Sequence, residues 1–201
     1  MQFENKCFTI GLTGGIASGK SAVSRFFEEL GCEIIDTDLE ARIVVEPGSE
    51  GLKQLVNEFG HSILDEKNLL NRAKLRKIVF EDTAKLSILN SILHPLIQQA
   101  VINKIECIKS KFCIIVIPLL CESNQYGWLD RVLVVDVKPE TQLNRLLKRD
   151  SITKELAMNM MQSQCSRKQR LSIANDVINN ECSLLELEKY VVTLNRLYKS
   201  L

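Results

Sequence analysis

The sequence lacks long apolar runs and an excess of either charge, and these absences exclude several classes of protein. Among 201 residues, 26 basic and 25 acidic side chains leave a net charge of +1, so no global field attracts nucleic acid or an anionic membrane. The longest uncharged apolar stretch, 112–121, has about half the ~20 residues that a membrane span requires. Residues 1–6 lack the basic start and apolar run of a signal peptide. We therefore expect a cytoplasmic protein.

Paired cysteine motifs are also missing. The seven cysteines are an odd number, and no two of them are spaced as C-x-x-C, which argues against a disulfide framework or a zinc knuckle. Most lie beside apolar residues, so we expect free, buried thiols in a reducing compartment. No repeat or low-complexity tract is present, and no obligate protein partner is evident.

What the chain does contain is a set of short runs that predict β-strands. Near-continuous hydrophobicity in 113–117 and 132–135 is typical of strands buried on both faces, as in a parallel sheet flanked by helices. The sequence therefore predicts an α/β, doubly wound fold with a five-stranded parallel sheet. The predicted strands are 8–12, 33–36, 112–117, 131–137 and 176–179.

The spacing of these strands is uneven, which indicates inserted segments. Far more residues separate the second and third strands than one crossover helix needs. We interpret 65–108 as a helical insert, helical throughout, and 150–172 as a helical lid whose first helix is capped by Thr153 or Ser151. The core is then 1–64, 109–149 and 173–201. A solvated helix surface is the alternative for the lid's basic cluster, Arg167, Lys168 and Arg170.

A complete phosphate-binding motif, G-x-x-x-x-G-K-[ST], lies between the first predicted strand and a helical stretch. Its glycines let the backbone wrap a polyphosphate, and amides at the helix N-terminus point at the phosphate oxygens. Lys20 is predicted to reach the β- and γ-phosphates of ATP, and the Ser21 hydroxyl to ligate Mg²⁺. The predicted nucleotide-binding residues are Gly14, Gly15, Ile16, Ala17, Ser18, Gly19, Lys20, Ser21 and Ala22.

Two carboxylates follow the second predicted strand. Asp36 and Asp38 are two residues apart, so at strand spacing they share a face. One could take the proton of an acceptor hydroxyl, and either could hold Mg²⁺ directly or through water. Alternatively, Asp38 caps a helix over 39–45.

Phosphate loops also occur in nucleotide-dependent switches, so other signals must favour a kinase. No D-x-x-G is present, and the nearest match to N-K-x-D, at 103–106, ends in Glu. Asp136 ends an apolar run, which we interpret as an ordinary strand end. Arg145 and Arg149 lie four residues apart on one helical face, where they could neutralise a transferring phosphoryl group. Surface ion pairs, such as one with Asp150, are the alternative.

Segments along nearly the whole sequence match, in order, the pattern of one known family: 12–21, 35–38, 41–42, 47–48, 70–72, 94–95, 118–122, 142 with 145, 149–150 and 174–180. With these segments the sequence resembles the dephospho-coenzyme A kinases. The resemblance implies transfer of the ATP γ-phosphate to the ribose 3′-hydroxyl of dephospho-coenzyme A, with Asp38 as base, 65–108 as coenzyme-binding domain and 150–172 as a lid. It also implies these substrate-binding residues: Asp36, Asp38, Arg42, Arg72, His94, Pro118, Leu119 and Glu122. A helix joint fixed by Pro95 is the alternative role for His94.

Some positions depart from the family pattern without removing a predicted phosphate or metal ligand. They are Ala17 for a loop glycine, Ala22 for Thr, Thr37 for Ala, Asn71 for Asp and Cys121 for Phe. Ala17 requires a backbone conformation that a β-carbon tolerates, and Asn71 leaves a charge missing near the expected coenzyme site.

Overall fold

The computed structural model describes residues 7–80, 82–123 and 125–201. The five predicted strands are all present, with ends that move by at most two residues. Helices follow every strand except the third, as expected for an α/β fold, and the described residues between the third and fourth strands form turns and bends. The elements are β1 (Phe8–Gly14), α1 (Lys20–Glu29), β2 (Glu33–Asp36), α2 (Thr37–Ile43), α3 (Glu50–Phe59), a 3₁₀ turn (His61–Ile63), α4 (Arg72–Phe80), α5 (Thr83–Cys107), β3 (Phe112–Val116), β4 (Arg131–Asp136), α6 (Pro139–Asp150), α7 (Lys154–Gln162), α8 (Arg167–Ser172), β5 (Asp176–Asn179) and α9 (Leu184–Ser200).

The strands form one sheet in the order β2-β3-β1-β4-β5, and each neighbouring pair is parallel. Every residue of β3 is buried, because an interior strand of a parallel sheet is covered on both faces. The predicted parallel five-stranded sheet is confirmed. Since all strands run the same way, their carboxyl ends meet at one edge, where ligands of such folds bind.

One face of this sheet carries the main core, which α1 and α9 cover. Alternate residues of β1, β3 and β4 point to this face, as the period of two in a strand requires. The ring of Tyr198 on α9 stacks on Phe27 of α1 at 6.0 Å between centroids and meets Phe112 edge-on at 5.7 Å. These aromatic contacts fix α9, the last helix, against the sheet.

The Tyr198 hydroxyl belongs to a polar network at the start of β4 and β5. It donates to Asp176 at 2.9 Å, and Arg131 donates to the same carboxylate through Nη2 at 2.9 Å and through Nε. The Arg131 guanidinium holds the pKa of Asp176 below its ordinary value, and burial raises the pKa of Tyr198. The network therefore ties the edge strand β5 to β4 and α9.

Contacts divide the chain into two compact units. One contains residues up to Asp36 together with Ile108–Leu201, and the other is Thr37–Cys107. The predicted insert, 65–108, begins later than the second unit, because α2 and α3 also pack against α5. This unit has its own core, built on Val45, Leu55, Ile63, Leu75 and Val79.

Within the second unit the prediction of unbroken helix from residue 65 was wrong. Residues 65–71 form a turn and a short bridge rather than helix, because the Asp65 carboxylate accepts hydrogen bonds from the amides of Lys67 and Leu69. Asn68 adopts a left-handed conformation with φ of 59°. By contrast, α5 continues through Pro95, so His94 lies within one helix rather than at a joint.

Of the remaining expectations, the cap of α7 and the free state of the thiols are confirmed, whereas burial of the thiols holds only for Cys7, Cys32 and Cys113. Thr153 caps α7 by accepting a hydrogen bond from the amide of Leu156. All seven cysteines are free thiols. Across the described ranges, no helix is long and apolar enough to cross a membrane.

Candidate active site around the phosphate-binding loop

The predicted phosphate-binding motif forms the turn between β1, the central strand, and α1. Lys20 is the first residue of α1, and Gly19 precedes it with φ of 101°. A β-carbon at Gly19 would collide with the side-chain amide of Asn180, so this position needs glycine for both conformation and space. The first N–H groups of any helix have no acceptor within it. The α1 N-terminus is therefore built to receive an anion at the carboxyl edge of the sheet.

Lys20 lies across the loop that precedes it. Its Nζ donates to the carbonyl oxygens of Gly14 at 2.8 Å and Gly15 at 3.1 Å. The ammonium group is thus held over the loop on the side where the motif brings the β- and γ-phosphates.

Ala17, which stands where the family pattern has glycine, adopts a left-handed backbone conformation. Its φ is 57°, in the left-handed region that costs an L-residue about 1–2 kcal/mol. The β-carbon is tolerated there, but as a strained residue.

Three side chains from later in the chain bind the backbone of this loop. Gln164, between α7 and α8, accepts from the Ile16 amide at 2.7 Å, and Asn180, after β5, donates to the Ser18 carbonyl at 2.7 Å. Arg145 on α6 donates to the Asn180 carbonyl at 2.8 Å and to the Ser18 carbonyl at 3.4 Å. Gln164 and Asn180 were not among the predicted site residues; Asn180 lies in a segment that matches the family, and no sequence pattern indicates Gln164.

The two arginines predicted to serve catalysis have different surroundings. Arg145 contacts the loop, whereas Arg149 forms a two-point ion pair with Asp150 at 2.7 and 2.9 Å. This pair is the alternative that the sequence left open, and the Arg149 guanidinium lowers the pKa of Asp150. Both residues are exposed, so the pair contributes little stability.

The two acidic residues lie in different elements of the structure. Asp36 ends β2, where it pairs in register with Val116 of β3. Asp38 does not continue that strand, because α2 begins at Thr37, so the expectation that both carboxylates share a strand face was wrong. The proposed capping role of Asp38 was also wrong, since Asp38 lies inside the first turn of α2.

The segment after β3 carries Pro118, Leu119 and Glu122, which were predicted to bind substrate. Leu119 is 53% exposed, and Glu122 accepts a hydrogen bond from the amide of Cys165 at 2.8 Å. Burial and a hydrogen bond with Cys121 raise the pKa of Cys165 to about 12. This hydrogen bond therefore links the β3–β4 connection to the residues between α7 and α8.

Arg42, Arg72 and His94 all lie in the second unit. Arg42 is in the last turn of α2, His94 is half-buried in α5, and Arg72 begins α4. Arg72 donates to the Ala41 carbonyl at 3.4 Å and lines a cavity of about 240 Å³ whose other cation is Arg76. The remaining walls are mostly apolar: Ala41, Val45, Leu70, Leu75, Val79, Leu89 and Leu93.

Asn71, where the family pattern has Asp, has a local structural role. Its side-chain oxygen accepts a hydrogen bond from the Lys74 amide at 3.0 Å, and its carbonyl accepts from Leu75. Asn71 therefore caps α4, and Asn and Asp serve this purpose about equally well.

A parallel sheet with this loop after its central strand, and with an arginine on the loop backbone, defines a P-loop nucleotide-binding protein. The comparison with known families agrees, because the model of the dephospho-CoA kinase family matches residues 8–186. The chain therefore belongs to the dephospho-CoA kinase family, whose members use ATP as co-substrate.

Individual relatives support this assignment over most of the chain. A dephospho-CoA kinase of Vibrio parahaemolyticus is 44% identical over 190 residues, covering 94% of this chain and 93% of the relative. One of Coxiella burnetii is 41% identical, covering 94% and 96%. Among solved structures, the Campylobacter jejuni dephospho-CoA kinase has a TM-score of 0.74 and 26% identity, covering 96% and 97%. A shikimate kinase of Bacteroides thetaiotaomicron, at 14% identity and a TM-score of 0.51, covers 94% and 97% and shares the fold.

Proposed function

We propose that this protein transfers the γ-phosphate of ATP to the ribose 3′-hydroxyl of dephospho-coenzyme A, the last step of coenzyme A synthesis. Family membership over residues 8–186 carries the proposal. The placement of Lys20 across the loop at the α1 N-terminus supports it. In this reaction the 3′-oxygen forms a bond to the γ-phosphorus, the bond from that phosphorus to the β–γ bridging oxygen breaks, and ADP leaves.

Asp38 is the proposed base that accepts the 3′-hydroxyl proton. Its carboxylate is exposed in the first turn of α2, so it is accessible to an incoming substrate. A positioned carboxylate base contributes about 10²- to 10⁴-fold to the rate. Arg145 and Arg149 are proposed to neutralise charge on the phosphoryl group, and the contact of Arg145 with the Ser18 carbonyl supports its part.

Mg²⁺ is the proposed metal. Among the described residues, no group of three or more carboxylate, histidine or cysteine side chains could enclose an ion. Mg²⁺ at phosphotransfer sites needs fewer, because it keeps waters and takes only one or two protein ligands beside the substrate phosphates. The Ser21 hydroxyl, exposed in the first turn of α1, and the carboxylate of Asp36 or Asp38 are oxygen donors that suit it. Bound there, the ion would neutralise charge on the phosphates.

The coenzyme is proposed to bind with help from Arg42, Arg72 and His94. The cavity beside Arg72 and Arg76 combines two cations with an apolar lining, which matches a ligand with phosphate groups and an aliphatic arm. Asp36, Pro118, Leu119 and Glu122 remain proposed substrate contacts, 65–108 the proposed coenzyme-binding segment and 150–172 the proposed lid. The cytoplasmic location and the lack of nucleic-acid, membrane and obligate protein partners stay predictions.

The test is to incubate the protein with ATP, Mg²⁺ and dephospho-coenzyme A and to detect coenzyme A by mass. Lys20→Ala, which removes the ammonium group, is the matched negative control. Phosphorylation of another small acceptor would indicate a different P-loop kinase, and ATP binding without any product would indicate a nucleotide switch. Either result would overturn the proposal.

A further inference from the structure

Two of the seven thiols meet although they lie far apart in the chain. Cys121 is in the turn after β3, Cys165 is in the link between α7 and α8, and their thiols share a hydrogen bond. Cys121 is also one of the positions that depart from the family pattern, which has Phe there. Neither the fold nor the proposed reaction explains this pair.

Hydrogen bonds to the backbone hold Cys165 against Cys121. The Cys165 amide donates to the carboxylate of Glu122, the residue next to Cys121, at 2.8 Å. The Cys165 carbonyl accepts from Nη2 of Arg170 at 2.8 Å. Because these bonds fix the backbone on both sides of Cys165, the contact between the two sulfur atoms is a lasting feature of the folded chain.

Solvent reaches both thiols of this pair. Cys121 and Cys165 are each partly exposed, and both lie outside helices and strands, where the backbone can adjust to the geometry of a disulfide. A second pair of thiols in contact, Cys7 and Cys113, is buried, and Cys113 lies within β3. An oxidant therefore reaches the first pair more readily than the second.

A bond between these two sulfur atoms joins segments that flank the nucleotide site. Gln164, directly before Cys165, accepts from the Ile16 amide of the phosphate-binding loop at 2.7 Å, and Cys121 lies two residues after the proposed substrate contact Leu119. We infer that Cys121 and Cys165 form a reversible disulfide, which fixes the proposed lid to the β3–β4 connection and stops turnover. A lid must open and close in each catalytic cycle, so a covalent bond at this place prevents the exchange of substrate and product.

The disulfide forms by exchange with a small disulfide such as oxidised glutathione. The Cys121 thiolate attacks one sulfur of that molecule, its S–S bond breaks, and one glutathione leaves and takes up a proton. The Cys165 sulfur then loses its proton and attacks the Cys121 sulfur, and the second glutathione leaves. Two electrons thus pass from the two cysteines to glutathione.

The two thiols have different parts in this exchange. Burial and the hydrogen bond with Cys121 raise the pKa of Cys165 to about 12, so Cys165 stays protonated near neutral pH. The thiolate is the form that attacks a disulfide. Cys121 therefore makes the first attack, and Cys165 completes the bond. The effect on turnover rests on the proposed function, whereas formation of the disulfide does not.

The test treats the full chain with oxidised glutathione and then reduces it with dithiothreitol. Three properties are measured before and after each step: the peptides joined by a disulfide, identified by mass, the turnover, and the thermal midpoint without nucleotide. We expect a cross-link between Cys121 and Cys165 and a fall in turnover of about tenfold or more. The midpoint should rise by about 5–10 °C, because a disulfide that closes a loop of this length stabilises the folded chain. Dithiothreitol should reverse all three changes.

Single substitutions identify the two sulfur atoms, and each variant is compared with its own reduced form. Cys165→Ser should retain one glutathione on Cys121, because the second attack is missing, and its midpoint should not rise. Cys121→Ser should form no cross-link to Cys165. Cys182→Ser removes a thiol that is also partly exposed, and it should respond to oxidation as the unchanged protein does.

Three results would overturn the inference. The first is oxidised protein without a peptide that joins Cys121 to Cys165. The second is a complete cross-link that leaves turnover unchanged. The third is an equal loss of turnover on oxidation of Cys121→Ser, which would assign the effect to another thiol. If the reduced, unchanged protein makes no coenzyme A, the proposed function fails, while the cross-link and the shift of the midpoint still test the disulfide.

Discussion

Replacing Ala17 with glycine should stabilise the protein. The left-handed conformation at φ of 57° costs a residue with a β-carbon about 1–2 kcal/mol, and glycine avoids that cost. Glycine also gains freedom in the unfolded chain, which offsets about 0.4–1 kcal/mol of the benefit. The net gain is about 1 kcal/mol, which corresponds to a rise of about 2–4 °C in the thermal midpoint for a chain of this size.

Scanning calorimetry without nucleotide measures this shift, and two other left-handed residues provide controls. Ser151, with φ of 52°, should gain similarly from substitution by glycine. Asn68, with φ of 59°, should gain less, because asparagine tolerates this conformation. An unchanged or lowered midpoint for Ala17→Gly would refute the reasoning, as would an equal gain for Asn68→Gly.

Three further predictions concern catalysis and the β4–β5 network. Lys20→Ala should lose turnover and much of its affinity for ATP, because it removes the ammonium group over the loop; nucleotide titration checks this, and unchanged affinity would contradict it. Asp38→Asn should keep nucleotide binding while kcat falls about 10²- to 10⁴-fold, and a normal kcat would show that Asp38 is not the base. Asp176→Asn should lower the free energy of unfolding by about 2 kcal/mol at pH 7. The folded-state pKa of Asp176 lies below its ordinary 3.8. The difference in free energy of unfolding between the two proteins should therefore be complete above pH 3.8 and become smaller as pH falls through the lowered pKa. Urea denaturation at several pH values measures this difference, and a constant difference would contradict the role of the Asp176 carboxylate.

Two predictions from local sequence failed for the same physical reason. Asp36 and Asp38 look like consecutive positions on one face of a strand, and 65–71 looks like the start of a helix. In both places the chain changes direction, at Thr37 where α2 begins and at Asp65 where a side chain binds nearby amides. The spacing of apolar residues predicts the middle of a helix or strand well. The ends of the element depend on caps and turns, which single residues determine.

The sequence by itself determined the phosphate-binding loop, the five strands and the α/β class. Glycine, lysine and serine at fixed spacing are required by the backbone of that loop, and continuous apolar runs are required by strands covered on both faces. Only the tertiary structure decided which distant side chains serve the loop. The loop is remote in sequence from Gln164, Arg170 and Asn180. Among the described residues, acidic partners neutralise Arg149 and Arg167 but not Arg145 or Arg170. That difference arises from packing across the carboxyl edge of the sheet, which no local pattern encodes.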